Sequence, residues 1–310
     1  MARLTLLLPP QAKFAGIALP ATLGKAVARA DRTQAAAGEQ AQMLRHFVLL
    51  PRAMPDQLPE AALSRLADAG MAGTQGAQWL RADPAHIRPD INGARLLGLG
   101  RTVGIEQADV DALLPALRPL FGDLGMALDA PHPERWYVRL EAGASLPEFA
   151  APEAALGDDV FEHIPDGPQA RRWRVLMNEV QVALHNHPHN QARLASGRVP
   201  INALWFWGGG RLPDAVQADV PTLHSGDPVL QGAAQLGKLT CMPLTTFDAV
   251  QAPSLVDLRG QRDVRALIER WLLPALRAGA TFDFADGHVF TLRPAQRWRV
   301  WRKSLQRLPA

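Results

Sequence analysis

The stretch HPHNQARLASGRVPINALWFWGGGRLP, residues 187–213, carries the strongest structural signal in this chain. Its centre, VPINALWFW, is a nearly continuous apolar run of strand length, which predicts a buried strand. The run ends in three glycines and an arginine, which are Gly208, Gly209, Gly210 and Arg211. Backbone N–H groups of such a turn can approach an anion, and an arginine adds a charged fork. Taken alone, the motif favours a plain glycine-rich turn, and no Walker loop or dinucleotide fingerprint is present.

We interpret the polar side chains of this stretch as a ligand pocket. They lie around the turn before the strand and at its two ends. Asn202 lies inside the apolar run, where a buried amide requires hydrogen-bond partners, so it contacts either a ligand or a loop backbone. The predicted anion-binding set therefore comprises Asn190, Arg193, Asn202, the three glycines and Arg211.

A helix precedes this stretch, with apolar residues repeating at helical spacing at Trp173, Leu176, Val180 and Leu184. Pro188 ends it near His187. The histidines at 185, 187 and 189 are candidate metal ligands, but no carboxylate or cysteine adjoins them in sequence. Solvated imidazoles at a helix end are the alternative, and we predict no metal there.

Composition narrows the class of protein. The 310 residues are 47% hydrophobic and 20% charged, which is typical of a folded globular chain. A formal charge of +3 does not by itself indicate nucleic acid binding. A single cysteine, Cys241, excludes an internal disulfide. The N-terminal apolar run is too short for a signal peptide or a membrane span, so we expect a cytoplasmic protein.

Strand and helix signals interleave along the chain, which predicts an α/β protein with a layered sheet. Short strands are indicated at 4–8, 46–50 and 135–140. Residues 281–293 alternate around Asp286-Gly287, the pattern of a β-hairpin. Residues 141–168 collect prolines, glycines and acids and are interpreted as a connector.

The opening stretch resembles a signature of the archaeal-type, cofactor-independent phosphoglycerate mutases. The matching positions are His187, Pro188, Asn190, Arg193, Gly197, Pro200, Asn202, Trp205, Trp207, Gly208 and Gly210. LRADPAHIRPD and PHPERWYVRLEAG further resemble a shorter bacterial branch known as the regulatory protein RpfE. The resemblance implies an alkaline-phosphatase-like α/β core, 1–74 plus 169–310, with a smaller α+β unit and connector, 75–168, inserted in it.

The same resemblance implies two divalent metals held by Asp and His, with a Ser or Thr that carries the phosphoryl group. Here the first strand continues into PPQAKF, with no acid before Asp31. The late candidate ligands are Asp257, Asp263, Asp283, Asp286 and His288, of which the last two are explained by the hairpin turn. Thr74 is the nearest positional match to a nucleophile.

Three functions remain open on the sequence. The first is a mutase-like protein without the metal-dependent site and without a cofactor, which binds a small phosphorylated or carboxylated ligand or serves regulation. The second is an active mutase or phosphatase that uses a divalent metal. The third depends on the C-terminal RWRVWRKSLQR, predicted as a basic helix that binds nucleic acid or an anionic surface. In that helix, Trp298 and Trp301 could instead dock into the core.

Overall fold

The computed structural model describes residues 4–51, 58–91 and 93–308. They divide into two compact units, one drawn from the ranges 1–57 and 213–310 and the other from 58–212. The strands of these residues are β1 Leu4–Leu8, β2 Asp31–Gln34, β3 Phe47–Leu50, β4 Gln78–Asp90, β5 Gly93–Leu99, β6 Ala127–His132, β7 Arg135–Leu140, β8 Ala203–Arg211, β9 Ala215–Ala218, β10 Thr222–His224, β11 Thr240–Met242, β12 Ser254–Asp257, β13 Thr281–Phe284 and β14 His288–Thr291. The α-helices are α1 Ala21–Arg29, α2 Glu39–Leu44, α3 Glu60–Ala69, α4 Gln107–Gly122, α5 Pro152–Ala155, α6 Ala170–His185, α7 Pro188–Ala195, α8 Pro228–Leu236, α9 Val264–Leu267 and α10 Leu273–Ala278.

The first unit is built on a mixed sheet with the strand order β11-β10-β12-β1-β13-β14-β2. Strand β1 is buried along its whole length and runs parallel to both neighbours, β12 and β13. Leu4, Leu6 and Leu8 pack in one core with Phe282 and Phe284 of β13. Thr5 and Leu7, which point to the opposite face, are buried as well, so the strand is covered on both faces. The predicted α/β class with a layered sheet is therefore confirmed.

The predicted hairpin is also present in the first unit. Strands β13 and β14 pair antiparallel, and Gly287 in the connecting turn has a φ of 88°. Glycine adopts this left-handed conformation without strain, which explains the Asp-Gly pair. The Asp286 carboxylate accepts a hydrogen bond from the His288 backbone N–H, so both residues serve the turn.

A long helix packs against the sheet of the first unit. It begins after Asp263, whose carboxylate accepts a hydrogen bond from the Ala266 N–H, and it ends at Gly279 with a φ of 77°. Between α9 and α10 the helix widens into a π-helical turn, Ile268–Leu272, directly before Pro274. Proline cannot donate a backbone hydrogen bond, and a π turn changes the bonding pattern where that donor is missing.

The second unit is a sheet of β5-β4-β7-β6, with β8 pairing along the other side of β4. Helices α4 and α6 bury one apolar core against it, which includes Trp136, Trp173, Leu176 and Phe206. Helix α4 continues through Pro115 and Pro119.

The bounds of the second unit differ from the predicted insertion at 75–168. It extends from 58 to 212 because β8 pairs with β4, with Trp205 opposite Asp83, and because α6 packs on the same core. The opening stretch of the sequence therefore lies mostly in this unit, and only Pro213 lies outside it.

The predicted basic C-terminal helix is wrong. Only a short 3₁₀ helix, Pro294–Trp298, forms, and Trp298 and Trp301 are 70% and 73% exposed rather than docked in the core. The segment instead follows α1, with the Leu305 N–H donating to the Gly24 carbonyl oxygen and Arg302 donating to the Ala30 carbonyl oxygen. These tertiary hydrogen bonds take the place of the hydrogen bonds that a helix would have made within itself.

No helix of the described ranges combines the length and apolar character that crossing a membrane requires.

Candidate functional site

Two residues of the predicted anion-binding set hold the second unit together. The Asn190 amide donates to the carbonyl oxygens of Leu184 and Ile201, both at 2.7 Å, and accepts from the Ile201 N–H. Arg193 is 1% exposed, and all three of its guanidinium nitrogens donate: to the Val199 and Val103 carbonyl oxygens and, at 2.7 Å, to Asp109. Their contacts are with the chain itself.

Asn202 extends the pairing of β8 with β4. Its side chain accepts from the Ile87 N–H and donates to the Ile87 carbonyl oxygen, which is the alternative that the sequence left open. The three glycines lie within β8, where alanine Cβ atoms would meet other side chains. The nearest atom to such a Cβ belongs to Glu60 at Gly208, to Leu146 at Gly209 and to Pro59 at Gly210. Close packing therefore explains the glycines.

Arg211 does not converge with these residues. It is exposed at the end of β8, and Asn202 immediately precedes the start of this strand. At about 3.3 Å per residue, the strand separates them by roughly 30 Å. The geometry therefore does not bring the predicted set together at one pocket.

The histidines of the opening stretch have structural contacts. His189 Nε2 lies 2.6 Å from Asp109 Oδ1, and the His187 ring accepts a hydrogen bond from the His189 N–H at the start of α7. Asp109 thus contacts both Arg193 and His189. Burial raises the pKa of this carboxyl, but the Glu106 backbone, His189 and Arg193 outweigh burial, and the net shift is downward.

A different cluster lies in the first unit, at the carboxyl ends of its parallel strands. Ligands of open α/β sheets bind at this edge. Leu7 of β1 lies opposite Asp257 of β12 on one side and Asp283 of β13 on the other. Residues in register point to the same face, so the two carboxylates flank β1 at roughly 10 Å, twice the strand spacing.

The guanidinium of Arg259 lies among three carboxylates, one of which is Asp257. It is 4% exposed and lies 2.8 Å from Asp257, 3.2 Å from Asp227 and 3.4 Å from Glu39. Burial lowers the pKa of this arginine, but the surrounding carboxylates outweigh burial and raise the pKa overall. The side chain therefore remains a cation among three acids.

Asp283 is paired in the same way. Arg45 donates to one of its oxygens at 2.6 Å, and His46 Nε2 lies 2.7 Å from the other. Burial raises the pKa of Asp283, but the hydrogen bonds from His46 and Arg45 outweigh burial and hold the pKa below its ordinary value of 3.8. The carboxylate is ionised and neutralised by the chain.

Several buried polar atoms at this edge have no partner among the described residues. They are both amide atoms of Gln11, the Gln42 amide oxygen and His224 Nδ1. Gln42 also bridges the ends of β1 and β13, because its amide nitrogen donates to the carbonyl oxygens of Leu8 and Asp283. Buried polar groups are normally satisfied, so these atoms mark the edge as a site rather than as ordinary core.

The residues at this edge do not fit a divalent metal. Asp257, Asp227 and Asp283 are each within 3.2 Å of a guanidinium, so a metal would face a fixed positive charge. Over 4–51, 58–91 and 93–308, no three His, Cys, Asp or Glu side chains are grouped to hold a metal ion. Asp257 and Asp283 were candidate metal ligands on the sequence, but the sequence did not indicate the arginines that pair with them.

The hydroxyls of Ser225, at this edge, and of Thr74, the residue matched to a nucleophile, are both hydrogen-bonded within the chain. Ser225 is 1% exposed and donates to Asp257 at 2.9 Å while its oxygen accepts from the Asp227 N–H. Thr74 lies in the second unit, fully buried, and its hydroxyl donates to the Gly70 carbonyl oxygen. The Asp227 carboxylate caps α8 by accepting hydrogen bonds from the Val229 and Leu230 N–H groups.

Comparison with known proteins relates the chain to one group of enzymes. No family model matches it. It is 44% identical over 62 residues to a probable 2,3-bisphosphoglycerate-independent phosphoglycerate mutase of Geobacter sulfurreducens, a match that covers 20% of this chain and 16% of that protein. A 2,3-bisphosphoglycerate-independent phosphoglycerate mutase of Methanothrix thermoacetophila is 26% identical over 123 residues, 38% of this chain and 30% of that protein. The chain thus matches less than a third of either relative's length.

Two solved structures align with most of the chain. A cofactor-independent phosphoglycerate mutase from Thermoplasma acidophilum aligns with 95% of this chain and 90% of its own length, at a TM-score of 0.40 and 16% identity. A protein of Pyrococcus horikoshii aligns with 94% of this chain and 88% of its own, at a TM-score of 0.47 and 10% identity.

We expect Arg193→Ala to lower the free energy of unfolding by about 3–5 kcal/mol, because the buried Asp109 carboxylate then loses its ion pair with Arg193. Arg211→Ala is the control and should change it by less than about 0.5 kcal/mol, since this side chain is exposed. Urea unfolding of both variants measures the difference. Equal, small effects would contradict the structural role of Arg193.

The Asp283 pairs should make stability pH-dependent in the acid range. The pKa of Asp283 is lower in the folded chain than its ordinary value of 3.8, so its contribution is complete above about pH 4 and is lost as the pH falls through the folded pKa. Asp283→Asn should therefore be less stable than the wild type at neutral pH, with a difference that narrows below pH 4. Chemical unfolding at several pH values tests this, and a difference independent of pH would refute it.

Proposed function

We propose that this chain, a relative of the cofactor-independent phosphoglycerate mutases, has lost their metal-dependent step and acts as a ligand-binding or regulatory protein. The observation that carries the proposal is the buried guanidinium of Arg259 among Asp257, Asp227 and Glu39. Phosphoryl transfer requires concentrated positive charge on the transferring group, which catalytic metals supply. Here the chain's own cations neutralise the carboxylates.

Arginine does not replace a metal in this chemistry. A guanidinium binds a phosphate or carboxylate through fixed N–H donors, but it neither activates water nor lowers the pKa of a hydroxyl as a bound metal does. The donors of Arg259 and Arg45 are moreover directed at carboxylates. These contacts support a structural role for the two arginines at this edge, without transfer of a phosphoryl group.

The direct experiment is a metal analysis of protein purified without chelator, run beside an assay of 3-phosphoglycerate and 2-phosphoglycerate interconversion with added manganese. We expect substoichiometric metal and no turnover. Stoichiometric metal together with turnover would overturn the proposal and establish the alternative, an active metal-dependent mutase or phosphatase.

A variant tests the role of Arg259 itself. Arg259→Ala leaves the acids around it without their shared cation, which should destabilise the chain by about 3–5 kcal/mol. Manganese should then raise the melting temperature of the variant, because carboxylates without a neighbouring guanidinium are oxygen ligands for a divalent cation. Arg259→Lys, which keeps the charge, is the control and should show no manganese effect. A wild-type chain stabilised by manganese as strongly as Arg259→Ala would contradict this role.

A second candidate function concerns the C-terminal segment. The exposed Trp298 and Trp301 alternate with arginines, an arrangement that suits an anionic surface or a nucleic acid. Binding that weakens steeply with added salt would favour this function over the first.

A further inference from the structure

A cavity of about 390 Å³ lies in the first unit and shares no lining residue with the sheet edge around Asp257 and Asp283. Its charged lining residues are all cationic. Helix α1 forms one wall, and the 3₁₀ helix Pro294–Trp298 with the residue before it forms another. The polar lining residues are Thr22, Lys25, Arg29, Arg293, Gln296 and Arg297, and none of the residues that line the cavity is acidic.

Two segments of the chain supply the cationic side chains that line the cavity. Thr22, Lys25 and Arg29 are spaced by three and four residues, which places them along one face of α1. On the other wall, the Gln296 side chain accepts from the Arg293 N–H and donates to the Thr291 carbonyl oxygen, which fixes the 3₁₀ turn. The turn then presents Arg293 and Arg297 to the same space.

Most of this charge has no acidic partner. Among the described residues, Lys25, Arg29 and Arg297 have no carboxylate within salt-bridge distance, whereas Arg293 lies 3.6 Å from Asp31. Asp31 is held more closely by Arg299, at 2.6 Å. Four cations around one cavity repel each other, so the arrangement favours a bound anion.

Arg29 supplies a second, independent observation. Its Nε–H is buried without a hydrogen-bond partner in the described part of the chain, while its Nη1 donates to the Arg297 carbonyl oxygen at 2.8 Å. A buried charged donor without an acceptor is costly and calls for a ligand oxygen. The cavity beside it provides the space for that oxygen.

We propose that this cavity binds a small organic anion with at least two negative charges, carried by phosphoryl or carboxylate groups. Guanidinium groups bind both oxygen arrangements in a bidentate manner. The apolar part of the lining, Ala26, Leu276 and Leu292, suits a short carbon skeleton, and the volume is within the range of small-molecule sites. The site is separate from the edge around Arg259, so either proposal can fail without the other.

The test is isothermal titration of the full chain with inorganic phosphate, pyrophosphate and citrate. We expect wild-type binding of at least one of these, and at least a tenfold loss of affinity in the double variant Lys25→Ala/Arg297→Ala. The matched control is Arg262→Ala/Arg265→Ala, which removes the same charge from exposed positions outside the cavity and should keep wild-type affinity.

Two results would overturn the proposal. One is the absence of wild-type binding to all three anions. The other is an equal loss of affinity in the control variant, which would show a response to net charge rather than to this cavity. Melting temperatures of both double variants, measured without ligand, show whether the folded chain is intact, since both remove only exposed side chains.

Discussion

The buried charge of Arg259 is the constraint on which the sheet edge of the first unit depends. A guanidinium that is 4% exposed is stable only while its carboxylate partners remain in place. Those partners come from α2, from the start of α8 and from the end of β12, so a single side chain ties two helices to a strand of the sheet. The paired Asp283 repeats the same arrangement on the other side of β1.

Local signals in the sequence predicted much of the fold. Strands β1 and β7, helix α6 and the β13–β14 hairpin follow from apolar periodicity and turn residues, which act over a few positions. Failures occurred where distant parts of the chain decide the outcome. The segment after Trp298 carries a helical pattern, but its donors bond to carbonyl oxygens at the end of α1 and directly after it, about 270 residues earlier.

The candidate site was harder to predict for the same reason. Asp257 and Asp283 are visible in the sequence as acids within short, otherwise apolar stretches. The partners of Arg259 lie 2, 32 and 220 residues away, and no spacing in the sequence reveals that they meet. Conversely, Asn190, Arg193 and Asn202 were predicted to bind an anion, but a buried polar side chain can equally form hydrogen bonds with the backbone of its own chain. Their hydrogen bonds are of that second kind.

The pairing of β1 also sets an order of assembly during synthesis. Strand β1 lies between β12 and β13, so it does not have both of its neighbours until residues near 284 have been translated. The second unit needs residues only up to 212. Domains generally fold as units while the chain emerges from the ribosome. The second unit can therefore mature first, while the apolar β1 waits for its neighbours, and an early stop in translation would release that strand uncovered and prone to aggregate.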